Sequence, residues 1–487
     1  MSTKNSSNSI AGNAVFNLIY RLLNILFPLI SAGYAARILM PEGIGRNAEA
    51  QNNVSYFLVI AMLGIPAYAT RELARHRGDK KETDKIFSEI LVLNACLTTV
   101  AILLFGICLY VLDLFKSEFA LYAICGITLY VNFINIDWYY QATEQFRFIA
   151  LRSLIVKSVS LVLLFIFVRD VDDLYVYALL TSLAVCGHYI INIVNARRTL
   201  SFSFKDLNLR RHLKSLSLLA FCTISTEIYA RLDITMLGIM KDSSTVAYYT
   251  YAQKIINLTS VFIISITAVF LPRLSYYFSK DNEAFNRLAK IGSDLMIFMS
   301  FPVCFGIASV AYPLVLVWLG NDYMDVVPCL IMLAFIIPLK CIGDIACYQV
   351  MICAGQEFVL MFSYAVTLAV NLVCNLLLIP EYGAFGACIA SFISEIVVFV
   401  FVLCFARKYQ NYRIDKYNAV VVIISSLIML ASVLLVQTLT ENLILKLLIG
   451  TATGVLVFVV LNIITRNSFF KDEFMGKIKD LLSKNRG

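Results

Sequence analysis

The sequence predicts an all-α polytopic membrane protein of about 14 transmembrane helices. Hydrophobic residues make up 60% of the 487 residues and charged residues only 15%, with a mean hydropathy of +0.80. A soluble domain carries about 25% charged residues, whereas a bilayer core of about 30 Å needs roughly 20 apolar residues per helix. Successive apolar stretches of that length, separated by short polar hinges, occupy the chain from residue 11 to residue 465.

Each span is an apolar run bounded by polar or charged residues, and the first begins directly after a polar N-terminal segment. Several runs exceed 25 residues, which predicts tilt or continuation beyond the lipid. In chain order the predicted spans are 11–36, 53–70, 86–112, 119–141, 152–168, 173–195, 215–240, 246–271, 291–319, 326–353, 359–379, 383–406, 417–438 and 444–465.

The basic residues predict the orientation of these spans. Of the 40 Lys and Arg residues, 29 flank spans on the side of the N-terminus and 6 flank them on the other side. The positive-inside rule then places both termini in the cytoplasm. The net charge of +8 lies beside spans and forms no basic patch, so no nucleic-acid partner is expected. The first residues contain no cleavable secretory signal, so the first span is expected to direct insertion.

The hinges argue against an enzyme. The outer hinge at 113–118 is short, and the longest predicted hinge runs only over 35–53, too short for the chemistry of a glycan polymerase. No phosphate-binding GxxxxGK[ST] loop is present. The histidines His76, His188 and His212 are isolated in sequence, and no metal-ligand cluster is seen. We therefore expect no catalytic residue, no metal and no cofactor.

A weak internal repeat divides the chain. GIPAYATREL at 64–73 resembles AVFLPRL at 268–274, and Ala-Gln pairs at 50–51 and 252–253 are offset by 202 residues. Spans 1–6 and 7–12 are thus predicted to be two parallel copies of one six-helix unit, with spans 13 and 14 as an added hairpin. Transporters with such repeats place the substrate path between the halves. The predicted parts are an N-lobe at 1–200, a C-lobe at 201–410, and the hairpin with a basic cytoplasmic tail at 411–487.

Four segments carry a family resemblance. They are DWYYQATEQFRFIALR at 137–152, AARILMPEGIGRNAEA at 35–50, RLDITMLGIMKDSSTVAYYTYAQKI at 231–255 and LLLIPEYGAFGACIAS at 376–391. Through them the chain resembles the bacterial oligosaccharide flippases for O-antigen and capsular polysaccharide, within the multidrug/oligosaccharidyl-lipid/polysaccharide exporter superfamily. It departs from the family at Met40, where glycine is usual, and in having fourteen predicted spans where many O-antigen flippases have twelve.

The resemblance implies a fold, a substrate and a location in the cell. The fold would be two six-helix lobes around a central cavity, in the bacterial inner membrane. The substrate would be an undecaprenyl-diphosphate-linked oligosaccharide, moved from the cytoplasmic to the outer leaflet by alternating access. A monomer would suffice, working with a glycan polymerase and export machinery. Two alternatives on the same fold stay open: a lipid II flippase and a multidrug/cation antiporter.

Basic residues inside spans are the predicted substrate contacts. An intramembrane charge costs at least about 2.5–3.5 kcal/mol on insertion scales, and a diphosphate gives arginine or lysine a reason to be there. The candidates are Arg21, Arg231, Lys254 and Lys340. The alternatives are an ion pair with an acid on another helix for Arg21, and snorkelling towards the interface for Lys254.

Acidic residues inside spans are candidates for coupling to Na⁺ or H⁺, namely Asp233, Glu227 and Asp344. Glu227 and Arg231, and likewise Lys340 and Asp344, are four residues apart, so each pair is also expected to form a self-neutralising ion pair on its helix.

Charged residues near span ends are weaker candidates for gating, namely Arg37, Asp137 and Glu144. Anchoring at the membrane interface explains the same positions.

Overall fold

The computed structural model describes residues 4–197, 200–202, 207–412, 414–465 and 467. For residues 4–26, 218, 219, 221 and 222 the description covers the backbone only. All regular secondary structure in the described residues is helical. The helices form two compact units, one running up to Gly238 with Asp242–Ser244, the other comprising Ile239–Lys241 and the chain from Thr245 onwards.

The first unit contains ten helices, several of them short. They are α1 (Lys4–Met62), α2 (Ile65–Arg75), α3 (Lys80–Val111), α4 (Asp113–Ser117), α5 (Phe119–Cys125), α6 (Ile127–Tyr130), α7 (Asp137–Ala142), α8 (Phe146–Phe167), α9 (Leu174–Ala196) and α10 (Arg210–Met240). Its core includes Phe87, Trp138 and Tyr140, all buried where α2, α3 and α7 pack together.

The second unit contains nine helices and one π-helical turn. They are α11 (Ser243–Thr267), α12 (Phe270–Phe278), α13 (Asn282–Trp318), α14 (Val326–Ala334), α15 (Ile336–Gly343), the π-helical turn Asp344–Gln349, α16 (Val350–Cys353), α17 (Glu357–Ala406), α18 (Lys416–Gln437) and α19 (Leu443–Ile464). The predicted C-terminal hairpin, α18 and α19, packs on α13 through a cluster that includes Ile297, Met429 and Phe458.

Nine helices in the described part of the chain are long and apolar enough to cross a membrane, or ten if the bent pair α11–α12 is counted as one span. The all-α polytopic class is therefore confirmed, while fourteen continuous spans are not seen. The difference has three sources: two long helices each contain two predicted spans, the fourth predicted span is broken into short pieces, and α10 is not among the nine.

The predicted long hinge at 35–53 is wrong, because this stretch is helical apart from a break at Met40. Met40 has φ 57° and ψ 171°, so α1 is two helices joined at this residue. Pro41 directly follows, and proline suits the first position of a helix because the amide hydrogen it lacks would be unpaired there. A continuous 59-residue helix would be about 90 Å long at 1.5 Å per residue. The break at Met40 divides this length into two shorter helices.

A second break replaces the predicted hinge at 380–382. α17 has non-helical backbone at Gly383, with φ 55° and ψ −130°, three residues after Pro380. Glycine adopts this left-handed region without a steric penalty. The predicted spans 359–379 and 383–406 thus lie on the two sides of one sharp break.

The fourth predicted span, 119–141, is not a single helix. It consists of α5, α6, a 3₁₀ turn at Asn132–Ile134 and the start of α7. The carbonyl of Asn132 accepts a hydrogen bond from Asn94 Nδ2 at 2.8 Å, and Asn132 Nδ2 donates to Thr98 Oγ1 at 2.9 Å. The Asn132 carbonyl also accepts from the backbone amide of Asn135 within the 3₁₀ turn, so this part of the chain is fastened to α3 by the Asn132 residue.

α10 packs within the first unit, although the sequence assigns it to the C-lobe. Asn52 Nδ2 on α1 donates to Thr235 Oγ1 at 2.8 Å, and Tyr56 Oη lies 2.8 Å from the same oxygen. The lobe boundaries at 200 and 410 stay a prediction.

Candidate functional site

Arg231 and Glu227 form the ion pair that their spacing predicts. Arg231 Nη2 lies 2.8 Å from Glu227 Oε2, and Arg231 Nε lies 3.1 Å from the same oxygen. The two side chains are 29% and 38% exposed, so the pair is accessible. Asn52 Nδ2 also reaches the backbone carbonyl of Arg231 at 3.4 Å. The arginine is therefore held on a polar face of α10, where a stronger anion could displace the glutamate.

Asp233 lies two residues further along α10 and is only 5% exposed. Two residues turn a helix by about 200°, so Asp233 points away from the accessible Arg231–Glu227 pair. The two predicted roles, substrate contact and ion coupling, thus fall on different sides of one helix.

Lys254 on α11 is half-buried beside aromatic rings. Its Nζ lies 5.2 Å from the ring centroid of Tyr251, and Tyr251 packs edge-on against Trp318 and Tyr323 at 5.6 and 5.4 Å. Among the described residues Lys254 has no ion-pair partner within 4.0 Å. An ammonium group over an aromatic ring keeps its charge available for an anion.

The predicted pair between Lys340 and Asp344 is not formed. Asp344 accepts hydrogen bonds from Thr267 Oγ1 at 2.8 Å and from Gln349 Nε2 at 2.7 Å. These two donors occupy the carboxylate that Lys340 is predicted to pair with, and Gln349 lies five residues ahead, across the π-helical turn that begins at Asp344. Lys340 is half-buried and forms no ion pair with any described residue.

Arg21, the fourth predicted cation, lies in α1, but its side chain is outside the described part of the structure. Its role stays a prediction.

Two kinds of comparison with known proteins bear on these residues. A model of the family described as "Polysaccharide biosynthesis protein" matches residues 10–278, more than half of the chain. The chain belongs to this family. A Shigella dysenteriae protein named "Putative O-antigen transporter" is 25% identical over 389 residues, which make up 78% of this chain and 96% of that protein. The resemblance stated from the sequence is thereby confirmed.

Solved structures show the fold of this polysaccharide biosynthesis protein. Lipid II flippase MurJ in an inward closed conformation matches it with a TM-score of 0.74 and 16% identity, covering 94% of this chain and 98% of that one. An inward-facing MATE family multidrug transporter of the MOP superfamily matches with a TM-score of 0.62 and 17% identity, covering 81% and 97%. These likenesses show that the chain shares its fold with both solved structures.

The gating candidates of this family member are engaged in local contacts. Asp137 Oδ1 accepts a hydrogen bond from Arg152 Nη1 at 2.7 Å, and both side chains also contact the Asn192 amide. Arg152 is 6% exposed. Sequence reasoning did not select Arg152, because it counted this residue among the hinge cations; its partner fifteen residues away is what buries it.

The other two gating candidates lie near breaks in the backbone. Glu144 has φ 56° and forms an ion pair with Arg77 Nη1 at 2.9 Å. Arg37 is exposed and lies three residues before the break at Met40. Both residues lie where a side chain can anchor a turn of the backbone. A gating role for Glu144 and Arg37 stays a prediction.

A buried ionic cluster was missed at the start of α10, where His212 was expected to be isolated. Glu89 is 0% exposed, and its Oε2 lies 2.8 Å from His212 Nε2 and 2.7 Å from Arg211 Nε. Tyr68 Oη lies 2.6 Å from His212 Nδ1. When the Tyr68 hydroxyl donates a hydrogen bond to Nδ1 of His212, the imidazole carries its proton on Nε2. That Nε2–H group then donates to the Glu89 carboxylate. This cluster joins α2, α3 and α10, and its partners are more than 100 residues apart in sequence, which hides them from any local pattern.

Glu49 is a further half-buried carboxylate that the sequence analysis did not select. It fills the space beside Gly238, where an added Cβ would meet Glu49 Cδ at 2.7 Å. Among the described residues it has no hydrogen-bond or ion-pair partner.

Proposed function

We propose that this protein is a flippase for undecaprenyl-diphosphate-linked oligosaccharide, moving it from the cytoplasmic to the outer leaflet by alternating access during cell-surface polysaccharide biosynthesis. In this proposal fourteen spans form two six-helix lobes around a central cavity, with both termini in the cytoplasm. The relationship to the named O-antigen transporter, which spans almost the whole of that protein, supports the substrate class.

The observation that carries the proposal is a pair of uncompensated cations. Lys254 and Lys340 are half-buried in apolar helices, and neither has an ion-pair partner among the described residues. Retaining a charge in such a place costs at least about 2.5–3.5 kcal/mol, so an anionic ligand is the simplest compensation. A diphosphate carries about two negative charges and accepts several hydrogen bonds.

Arg231 is proposed as a third contact that exchanges partners. In the structure its guanidinium is bound by Glu227. A diphosphate entering beside α10 would compete for the same planar fork, and the released carboxylate would remain accessible to solvent. Arg21 completes the proposed set on sequence grounds alone.

The energy source of the proposed transport is Na⁺ or H⁺ coupling at one of three carboxylates. Asp233 is the first candidate, because it is buried next to a predicted substrate contact. The other two candidates are Asp344, which is bound by two neutral donors, and Glu227, which is bound by a cation. A monomer is proposed to act with a glycan polymerase and export machinery.

The test is translocation in sealed proteoliposomes carrying a fluorescent undecaprenyl-diphosphate oligosaccharide. We compare the wild type with Lys254→Gln, Lys340→Gln and Arg21→Ala. Lys416→Gln is the matched control, because Lys416 is exposed at the start of α18. Loss of translocation in the first two variants, with the control unchanged, supports the proposal.

The alternatives predict different results. Translocation of lipid II in preference to the oligosaccharide would assign the protein to cell-wall precursor transport. Cation-driven dye efflux with no lipid translocation would indicate a multidrug antiporter and would refute the proposal.

A further inference from the structure

A cavity between α12 and α13 carries two arginines that no group in the described part of the chain neutralises. Its volume is about 370 Å³, and its lining includes Pro272, Arg273, Tyr276, Tyr277, Arg287 and Leu288. We call it the α12–α13 cavity. It lies wholly within the second unit and involves none of the residues proposed for transport.

Arg273 and Arg287 are both exposed, and neither has a hydrogen-bond or ion-pair partner among the described residues. Glu283, four residues before Arg287 on α13, lies more than 4.0 Å from both guanidinium groups. Asp281 caps α13 by accepting a hydrogen bond from the amide of Ala284 at 2.9 Å. Asp294 pairs with Lys290 at 3.2 Å. Two arginines therefore face one cavity with their charge uncompensated.

The corresponding place in the first unit is built differently. The predicted repeat matches α2 to α12, and α3 follows α2 as α13 follows α12. There Arg211, which reaches α3 from α10, has its Nη1 2.7 Å from Glu82 Oε1, and the same guanidinium binds Glu89. Carboxylates of α3 thus bind an arginine in the first unit, whereas Arg273 and Arg287 have no such partner among the described residues.

The surroundings of the α12–α13 cavity are those of a membrane interface. α12 is bent by 48° from α11, so it leaves the direction of the span. Tyr276 is exposed, and Lys280 Nζ lies 4.5 Å from its ring centroid. Tyrosine and basic residues together at the end of a span are typical of the head-group region of a bilayer.

We propose that the α12–α13 cavity binds the phosphate of a membrane lipid head group. The guanidinium groups of Arg273 and Arg287 supply planar donor forks that match phosphate oxygens. Tyr276 and Tyr277 place hydroxyl groups at the rim, and Leu288 and Pro272 offer an apolar wall to the beginning of an acyl chain. Anionic phospholipid is the ligand, and the site does not depend on what the protein transports.

The test is native mass spectrometry of the purified full-length protein titrated with phosphatidylglycerol. The variant R273Q/R287Q removes both forks, and R273K/R287K keeps the charge but loses the fork geometry. The matched control is K80Q/K81Q, which removes two exposed charges from the start of α3. We expect R273Q/R287Q to weaken lipid binding by about tenfold or more and the lysine variant to weaken it less.

Three outcomes decide the proposal. Equal lipid binding by the wild type and R273Q/R287Q overturns it, as does an equal loss in K80Q/K81Q. Displacement of the lipid by millimolar inorganic phosphate would assign the cavity to free phosphate and overturn the lipid assignment. Arginine-dependent binding of undecaprenyl diphosphate as well as phosphatidylglycerol would support a site for lipid phosphates in general. No transport is measured, so failure here is separable from failure of the proposed flippase function.

Discussion

Replacing Gly45 by alanine should destabilise the first unit severely. Gly45 is buried in α1, five residues after the break at Met40. An added Cβ would lie 1.6 Å from the carbonyl oxygen of Ser243 and 2.4 Å from its carbonyl carbon. These are backbone atoms at the start of α11, so no side-chain rotation can relieve the contact.

The size of the effect follows from two opposing terms. A glycine-to-alanine change inside a helix normally stabilises it by about 0.8–1 kcal/mol. Forcing an extra carbon into a packed interior costs about 1–3 kcal/mol, and occasionally more. Here the helix backbones must separate by more than 1 Å, so we expect the upper end of that range and a net loss of about 2 kcal/mol.

The assay is the thermal unfolding midpoint of the purified protein, followed by size-exclusion chromatography after heating. Gly106→Ala is the matched control, because Gly106 lies inside α3 and nothing stands within 4 Å of its added Cβ. The control should unfold at or above the wild-type midpoint. A Gly45→Ala protein that unfolds at the wild-type temperature would refute the close approach of α1 and Ser243.

Three further predictions concern backbone strain and buried charge. Met40→Gly should raise the unfolding midpoint, because left-handed backbone costs a non-glycine residue about 1–3 kcal/mol; a lower midpoint would contradict strain at this break. Glu89→Gln should lower the free energy of unfolding by about 1–3 kcal/mol, because the buried His212 ring loses its carboxylate partner and Arg211 keeps only Glu82; a loss below about 0.5 kcal/mol, measured by denaturant titration, would argue against the cluster. A double-mutant cycle of Asp137→Asn and Arg152→Met should give a coupling energy above about 1 kcal/mol, and additive midpoints would show that the pair is weak.

Hydropathy and charge bias were sufficient to predict the fold class, because they depend only on how the chain partitions into a bilayer. They could not predict the broken fourth span. At the break, the carbonyl of Asn132 accepts a hydrogen bond from the Asn94 side chain on α3 as well as from the amide of Asn135. A hydropathy profile averages over many residues, so it does not detect a single hydrogen bond between two apolar stretches.

The two i,i+4 pairs show how far local spacing can be used. Glu227 and Arg231 form their ion pair, whereas the Asp344 carboxylate binds Thr267 and Gln349, although the amide of Asp344 donates to the carbonyl of Lys340 as in a regular α-helix. Identical spacing thus gives one correct and one wrong prediction, and the deciding fact is the competing partners of the carboxylate. His212 lies at the other extreme, since its acid is 123 residues away.

At Met40 the sequence and the structure point to the same feature. The sequence marks it as a departure from a family glycine, and the structure finds it in the left-handed region where glycine is favoured. Here the residue and the conformation do not match, since a methionine occupies backbone that suits glycine. An unusual residue in a motif can therefore predict a strained backbone even where it does not predict a helix break.

The π-helical turn at Asp344–Gln349 has a consequence for how this protein can change over generations. A π-turn contains one more residue than an α-turn, and one residue turns a helix by about 100° while lengthening it by only 1.5 Å. Because the wider turn absorbs its extra residue, deleting one residue from this stretch would leave a regular α-turn and keep the later side chains of the span close to their present directions. At such a turn the chain can therefore lose a residue without exchanging which residues meet lipid and which meet protein.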